Sequence, residues 1–299
     1  MAIPNFLIEK LAIQYGEELT KKILEGYSKK RKVTLRVNTI KSNIDEIKNV
    51  LNQNNIEYRN VTWSKEALII EQAREQEIKK LKIYEEGKIY LQSLSSMLPP
   101  IILEPKENED ILDMAAAPGG KTTQMAAMLN NNARITACEM NIVRAEKLKY
   151  NIEKQGASSI YVMVTDSRKV DDLFAFDRIL LDAPCSGSGT LYSEDTRIEK
   201  TFTPKLIQKT VKAQTQLLRK AINILKPGKE MIYSTCSILQ EENEDIVNNI
   251  INSGKMEIIP IKIDRTIPTL PTKIKGTLCV CPNEEYEGFF VAKLKKLYK

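Results

Sequence analysis

The stretch Asp110–Thr123, D-I-L-D-M-A-A-A-P-G-G-K-T-T, reads as a strand, a tight turn and a helix, and the chain is organised around it. Ile111, Leu112 and Met114 form an apolar run of buried-strand length. Pro118-Gly119-Gly120 imposes a turn, and helical spacing resumes from Lys121 to Leu129. Adjacent glycines let backbone come close to a ligand, and the N-terminus of the following helix offers N–H groups at the same place. The pattern predicts a small-molecule site at the end of a first parallel strand. Two phosphate-binding motifs are excluded. A P-loop would need glycine at Ala115, and G-x-G-x-x-G does not fit the adjacent Gly119 and Gly120. The turn suits a ligand whose charged end is a carboxylate or an amine.

From Pro105 onward strands alternate with helices, which predicts an α/β fold with a doubly wound, mostly parallel sheet. Strands are expected at 110–114, 134–139, 160–165, 178–182 and 230–234. Helices are expected at 121–129, 142–155, near Val170, at 204–225 and at 241–251. Upstream, one or two helices over 5–27, a strand at 33–38, a helix at 44–51 and strands at 56–61 and 67–70 form a small N-terminal α/β unit. The expected division is therefore a small domain over 1–90 and a catalytic domain over 91–299.

The 299 residues carry a net charge of +6 and include no histidine. Every Ser-His or Cys-His nucleophile arrangement is thereby excluded. Five cysteines, at 138, 185, 236, 279 and 281, are scattered without a C-x-x-C pair, so neither a disulfide framework nor a metal site is expected. With no apolar run of membrane-spanning length and no secretory start, a cytoplasmic protein is expected, as a monomer. Seven cations stand against one acid between Lys21 and Arg36. That density suits either a phosphate backbone or a solvated helix end with a lysine-rich loop.

Acids stand at three successive strand ends: Glu139, Asp166 and Asp182. A carboxylate where Glu139 stands, at the end of the sheet's second strand, can accept hydrogen bonds from both hydroxyls of a ribose, so a nucleoside-bearing cofactor is predicted. Cys185 follows the fourth strand and Cys236 the fifth. If those strands are neighbours, both thiols face one site, and either could be a nucleophile; the residues alone leave them interchangeable.

The segment A-A-A-P-G-G-K-T at 115–122, with Pro184-Cys185 and Thr235-Cys236, resembles the RNA (cytosine-5)-methyltransferases of the Sun (Nol/Nop/Sun, Fmu-type) family. L-R-V-N-T at 35–39, L-Q-S-L-S-S at 91–96 and G-F-F-V-A-K at 288–293 extend the resemblance over roughly residues 33 to 295. The resemblance implies a Rossmann-like class I methyltransferase that uses S-adenosylmethionine. Ala115, Ala116, Ala117, Pro118, Gly119, Gly120 and Lys121 would surround its methionine part, Glu139 its ribose and Asp166 its adenine amino group. Arg144 matches a family position near the cofactor; otherwise it is a surface partner of Glu139 or Glu146. The resemblance also implies an RNA substrate, tRNA or rRNA. Cys236 would be the attacking thiol, Cys185 the thiol associated with RNA release, and Asp182 the acid beside cofactor and flipped base. C5 of cytosine is a poor nucleophile until a thiolate has added to C6, which is why such an enzyme needs a cysteine. Lys229, Asn283 and Glu285 depart from the family pattern in loops. Arg36 and Asn38 could touch RNA or fix the strand that carries them, and the structural role is favoured. Two other functions fit the residues: a methyltransferase of the same fold with another substrate, and a non-catalytic RNA-binding protein that keeps a cofactor pocket.

Overall fold

Helix α1 (Asn5–Ser28) opens the chain and is kinked where Gly16 adopts a φ of 79°. The computed structural model describes residues 3–298. Next come β1 (Val33–Val37), α2 (Ile44–Gln53), β2 (Tyr58–Val61), β3 (Ser64–Ile70), α3 (Glu75–Lys79), α4 (Lys82–Glu85), β4 (Ile89–Leu91) and α5 (Leu94–Leu103). The expected alternation follows with β5 (Asp110–Asp113), α6 (Gly120–Met128), β6 (Arg134–Cys138), α7 (Ile142–Gln155), β7 (Ile160–Met163) and β8 (Phe176–Asp182). After α8 (Ile198–Thr201) and α9 (Pro204–Ile224) come β9 (Leu225–Thr235), α10 (Glu244–Ile251), β10 (Met256–Ile259), β11 (Thr269–Leu270), β12 (Leu278–Val280) and β13 (Phe289–Lys296). The chain forms two compact units: Lys32–Leu180, and the segment up to Arg31 together with the segment from Leu181.

The first unit contains an antiparallel sheet in the order β2-β3-β1-β4. Its inner side buries Leu35, Val37, Leu68 and Ile70 with Ile47 and Leu51 of α2. The parallel strands of the same unit run β7-β6-β5-β8. Ile111 and Leu112 of β5 are fully buried, as a central parallel strand requires. The chain moves outward from β5 to β6 and β7, then returns to the other side of β5 as β8. Strand order thus reverses at β5, and the loop after it occupies the switch point where doubly wound sheets bind ligands.

Arg36 and Asn38 are structural. Arg36 is buried; its Nε donates to Gln92 Oε1 at 3.1 Å and its Nη2 to Thr123 Oγ1 at 3.2 Å, so β1 grips the start of α6. Burial pushes its guanidinium down to about 10. Asn38 Nδ2 donates to the carbonyls of Gly87 and Gln155 at 2.8 and 2.7 Å.

Three parts of the reading miss elements. The Glu- and Lys-rich segment before Gly87 forms α3 and α4. Helix α5 runs through Pro99 and Pro100, a pair that normally ends a helix. Pro100 leaves the Ser96 carbonyl without its helical donor, and Gln92 Nε2 supplies one at 3.1 Å. The short strands β10, β11 and β12 carry too few residues to show a period.

In the second unit β13 pairs antiparallel with β9, and β10 and β12 both pair with β13. Helix α9 starts at a Thr203 cap, whose Oγ1 accepts the Leu206 N–H at 3.2 Å, with Pro204 in the first turn.

Replacement of Arg36 by Met strands the buried Gln92 and Thr123 acceptors. Stability is expected to fall by roughly 1–3 kcal/mol, measured by denaturant unfolding.

Candidate active site

The loop after β5 is built from inside outward. Ala116 and Ala117 bury their methyl groups against Ala137 of β6 and Leu148 of α7, so only their backbone is offered to a ligand. Ala115 is half-buried, and its N–H donates to Asp113 Oδ1 at 3.3 Å. Pro118 is exposed. Gly119 caps α6 with φ 110°, a conformation that disfavours a side chain, and a Cβ on Gly120 would stand 3.2 Å from the Tyr90 ring. The absence of a side chain at Gly120 also leaves room for Tyr90. Lys121 Nζ donates to Ser96 Oγ at 2.8 Å.

Of the predicted acids, Glu139 helps to hold this loop in shape. Glu139 is 4 % exposed, and its Oε1 accepts the Asn141 N–H at 2.8 Å. Its Oε2 lies 3.5 Å from Arg144 Nη1, while Arg144 Nη2 donates to the Ala117 carbonyl at 2.8 Å. Arg144 thus pairs with Glu139, one of the two partners expected of it, and also fixes the loop. Asn151 Nδ2 takes the Pro118 carbonyl at 2.8 Å. With both carbonyls engaged, this turn has N–H groups left to offer, a set suited to a carboxylate. Asp166 accepts a two-pronged hydrogen bond from Arg168, which holds its carboxyl below the usual range. Two oxygens with four lone-pair sites still leave Asp166 able to accept from an amino group.

In the other unit, the ends of β8 and β9 meet. Ala183 N–H donates to the Ser234 carbonyl at 2.8 Å, and Asp182 Oδ1 accepts from Ser234 Oγ at 2.8 Å. Beyond them Cys185 Sγ and Cys236 Sγ stand 3.2 Å apart as free thiols. The neighbouring Cys236 sulfur, burial and the Glu242 carboxylate all push the Cys185 thiol well up, so Cys185 keeps its proton at neutral pH. Cys138, Cys279 and Cys281 are buried and pushed up by burial, which makes them inert. Among the described residues no group of three or more acids and cysteines could hold a metal ion, and no helix is long and apolar enough to cross a membrane.

Sequence reasoning missed what holds the two thiols together. Glu242 has no exposed surface and accepts four hydrogen bonds: Ser186 N at 2.7 Å, Ser186 Oγ at 2.6 Å, Thr210 Oγ1 at 2.6 Å and Gln214 Nε2 at 3.3 Å. Gln214 Nε2 also donates to the Pro184 carbonyl at 3.0 Å. The Cys185 loop is thus fixed on both sides of the thiol. The Cys236 loop is fixed by Asn243, whose Oδ1 accepts from Thr235 Oγ1 at 2.6 Å and whose Nδ2 donates to the Ser237 carbonyl at 2.9 Å. Gln14 and Tyr15 of α1 donate to the Ile238 carbonyl at 3.0 and 2.6 Å. Among Glu241, Glu242 and Glu244, nothing local marks that the last two turn inward and that Glu242 is the one the cysteine loop grips.

Glu242→Gln keeps the shape but loses the charge that four donors face, and stability is expected to fall by about 2 kcal/mol or more in denaturant unfolding. Cys236→Ala removes the largest cause that raises Cys185. At pH 8 iodoacetamide should then label Cys185 faster than in the parent, as read by peptide mass spectrometry.

Residues 100–295 match the family described as 16S rRNA methyltransferase RsmB/F, and residues 3–77 match the ferredoxin-like domain of RsmF/B-like methyltransferases. A tRNA (cytosine(49)-C(5))-methyltransferase of Pyrococcus abyssi is 32% identical over 95% of this chain and 99% of its own length. A 28S rRNA (cytosine-C(5))-methyltransferase of Mus musculus is 32% identical over 98% of this chain, which spans 38% of that longer protein. The crystal structure of NSun6 from Pyrococcus horikoshii with SFG superimposes with a TM-score of 0.88 at 25% identity, over 100% of this chain and 99% of that one. With its Rossmann-like strand order and its paired thiols, the chain belongs to the RsmB/F methyltransferase family.

Proposed function

We propose that the protein methylates C5 of a cytosine in tRNA or rRNA with S-adenosylmethionine as donor, through a covalent bond between Cys236 and C6 of the base. The observation that carries the proposal is the 3.2 Å contact between Cys185 and Cys236, a chemically purposeful pair in a chain of this family. Relatives named as tRNA and as rRNA cytosine-C5 methyltransferases support the substrate class. A relative's structure with SFG, an analogue of S-adenosylmethionine, supports the cofactor. The division is proposed at about residue 90, with an RNA-binding domain before it and the catalytic domain after it, in a cytoplasmic monomer.

The loop from Ala115 to Lys121 would hold the methionine end through its N–H groups, Glu139 the ribose hydroxyls and Asp166 the adenine amino group, with Asp182 nearby. When bound, S-adenosylmethionine supplies an electrophilic methyl group. Cys236 as thiolate adds to C6 of the flipped cytosine; the C6–S bond forms and the ring electrons move toward N3, where the Asp182 carboxyl group can stabilise the change. C5 is now enamine-like and is methylated. The C5 proton then passes to solvent water, the C6–S bond breaks with its electron pair going to the sulfur, and the aromatic ring returns. Cys185, which keeps its proton, stands where it can protonate the departing Cys236 sulfur and so free the RNA.

The test is transfer of labelled methyl groups to separate pools of unmodified tRNA and rRNA, followed by nucleoside analysis. The parent should form 5-methylcytosine in one pool and Cys236→Ala none. Cys185→Ser should retain an RNA-linked protein band on a denaturing gel. A parent that binds the cofactor yet forms no 5-methylcytosine in either pool would show the proposal to be wrong.

A further inference from the structure

Helix α9 carries Lys205, Lys209, Lys212, Arg219 and Lys220 and not one acid in 21 residues, although the whole chain has a net charge of only +6. The residues are not spread around the helix. Lys205, Lys209, Lys212, Gln216 and Arg219 recur at intervals of four, three, four and three, which sets them on one stripe. All five are exposed, and Gln208 beside them is exposed too. The opposite face buries Ile207, Leu217, Leu218 and Ala221 and presents Thr210 and Gln214 to Glu242. Among the described residues no ion pair joins Lys205, Lys209, Lys212 or Arg219. Some exposed lysines elsewhere are paired with acids, as Lys79 is with Glu75 and Lys149 with Glu146.

A solvated helix face usually interleaves charges of both signs. This one offers only cations and amides, over the 15 residues from Lys205 to Arg219, about 21 Å of helix. A row of that length can face several phosphates of one strand, with glutamines placed for sugar or phosphate oxygens. The earlier candidate, the basic stretch from Lys21 to Arg36, keeps Lys21, Lys22, Lys29 and Lys30 exposed but has its other three cations engaged. Arg31 donates to the Gly189 carbonyl, Lys32 pairs with Glu71 and Arg36 is buried.

We propose that the exposed stripe of α9 formed by Lys205, Lys209, Lys212 and Arg219 is a docking surface for the phosphate backbone of the substrate RNA, away from the target base. It rests on the proposed function for the identity of the RNA. The stripe supplies sequence-independent affinity, and the thiols on the other side of Glu242 supply the chemistry.

The test neutralises the stripe in the full chain, as K205Q/K209Q/K212Q/R219Q, and removes the same charge elsewhere as K255Q/K262Q/R265Q/K275Q, four exposed cations of the same unit. Binding of unmodified tRNA and rRNA transcripts is followed by filter retention across a salt series, and methyl transfer is measured in parallel. The stripe variant should lower the salt slope by about 3, at 0.7–0.9 per lost phosphate contact, and raise KM for RNA at least about tenfold near 0.15 M salt. Its kcat and melting temperature should match the parent, and the second variant should lose much less affinity. The proposal is overturned if the stripe variant binds as the parent does, if both variants lose affinity equally, or if kcat falls while KM stays. A parent that binds RNA but makes no 5-methylcytosine overturns the proposed reaction alone, because the stripe is still read from binding. Capture of anionic lipid vesicles in place of RNA overturns the stripe assignment.

Discussion

A carboxylate with no exposed surface must find all its hydrogen bonds inside the protein, and Glu242 finds four in one small region. Removing a charge from water costs several kcal/mol unless donors replace the solvent, so the position of Glu242 is set by where those donors meet. Two come from Ser186, beside Cys185, and two from α9. Since Glu242 follows Cys236 by only six residues, the requirement links one cysteine loop to the other. The contact between the thiols accompanies the satisfaction of this buried acid.

The cofactor loop follows the same logic with weaker forces. Its two buried alanines are anchored by packing, and its carbonyls are taken by Arg144 and Asn151 of one helix. The loop's own Pro118-Gly119-Gly120 makes the turn but does not hold it in place. Neighbours do, and among them Arg36 of a separate small sheet reaches the first turn of α6.

What could be read from the sequence is what strong periodicity encodes. Helix α7 spans Ile142–Gln155 as expected, because Asn141 caps it and Gly156 ends it in a left-handed turn. The loop at 115–121, the strand-end acids and the neighbouring cysteines were likewise legible, since each carries a local motif. Helix α5 was hidden because its proline pair argues against a helix, and only the distant Gln92 side chain makes it tolerable. Glu242 was hidden because an acid in an acid-rich segment reads as solvated. The stripe on α9 was legible in principle, by absence of acids at a helical interval, but apolar spacing draws attention to the opposite face.

The hold of α1 on the Ile238 carbonyl bears on how the chain is made. Gln14 and its acceptor are 224 positions apart, so as the polypeptide leaves the ribosome α1 emerges long before its partner exists. The continuous unit Lys32–Leu180 has its whole sequence available much earlier and can assemble first. Helix α1, with apolar residues such as Leu7, Leu11 and Ile23 that end up fully buried, must be kept from wrong partners until the last third of the chain arrives. Long-range closure of this kind is slow. Synthesis order therefore delays the contact that steadies the Cys236 loop until the chain has reached Ile238.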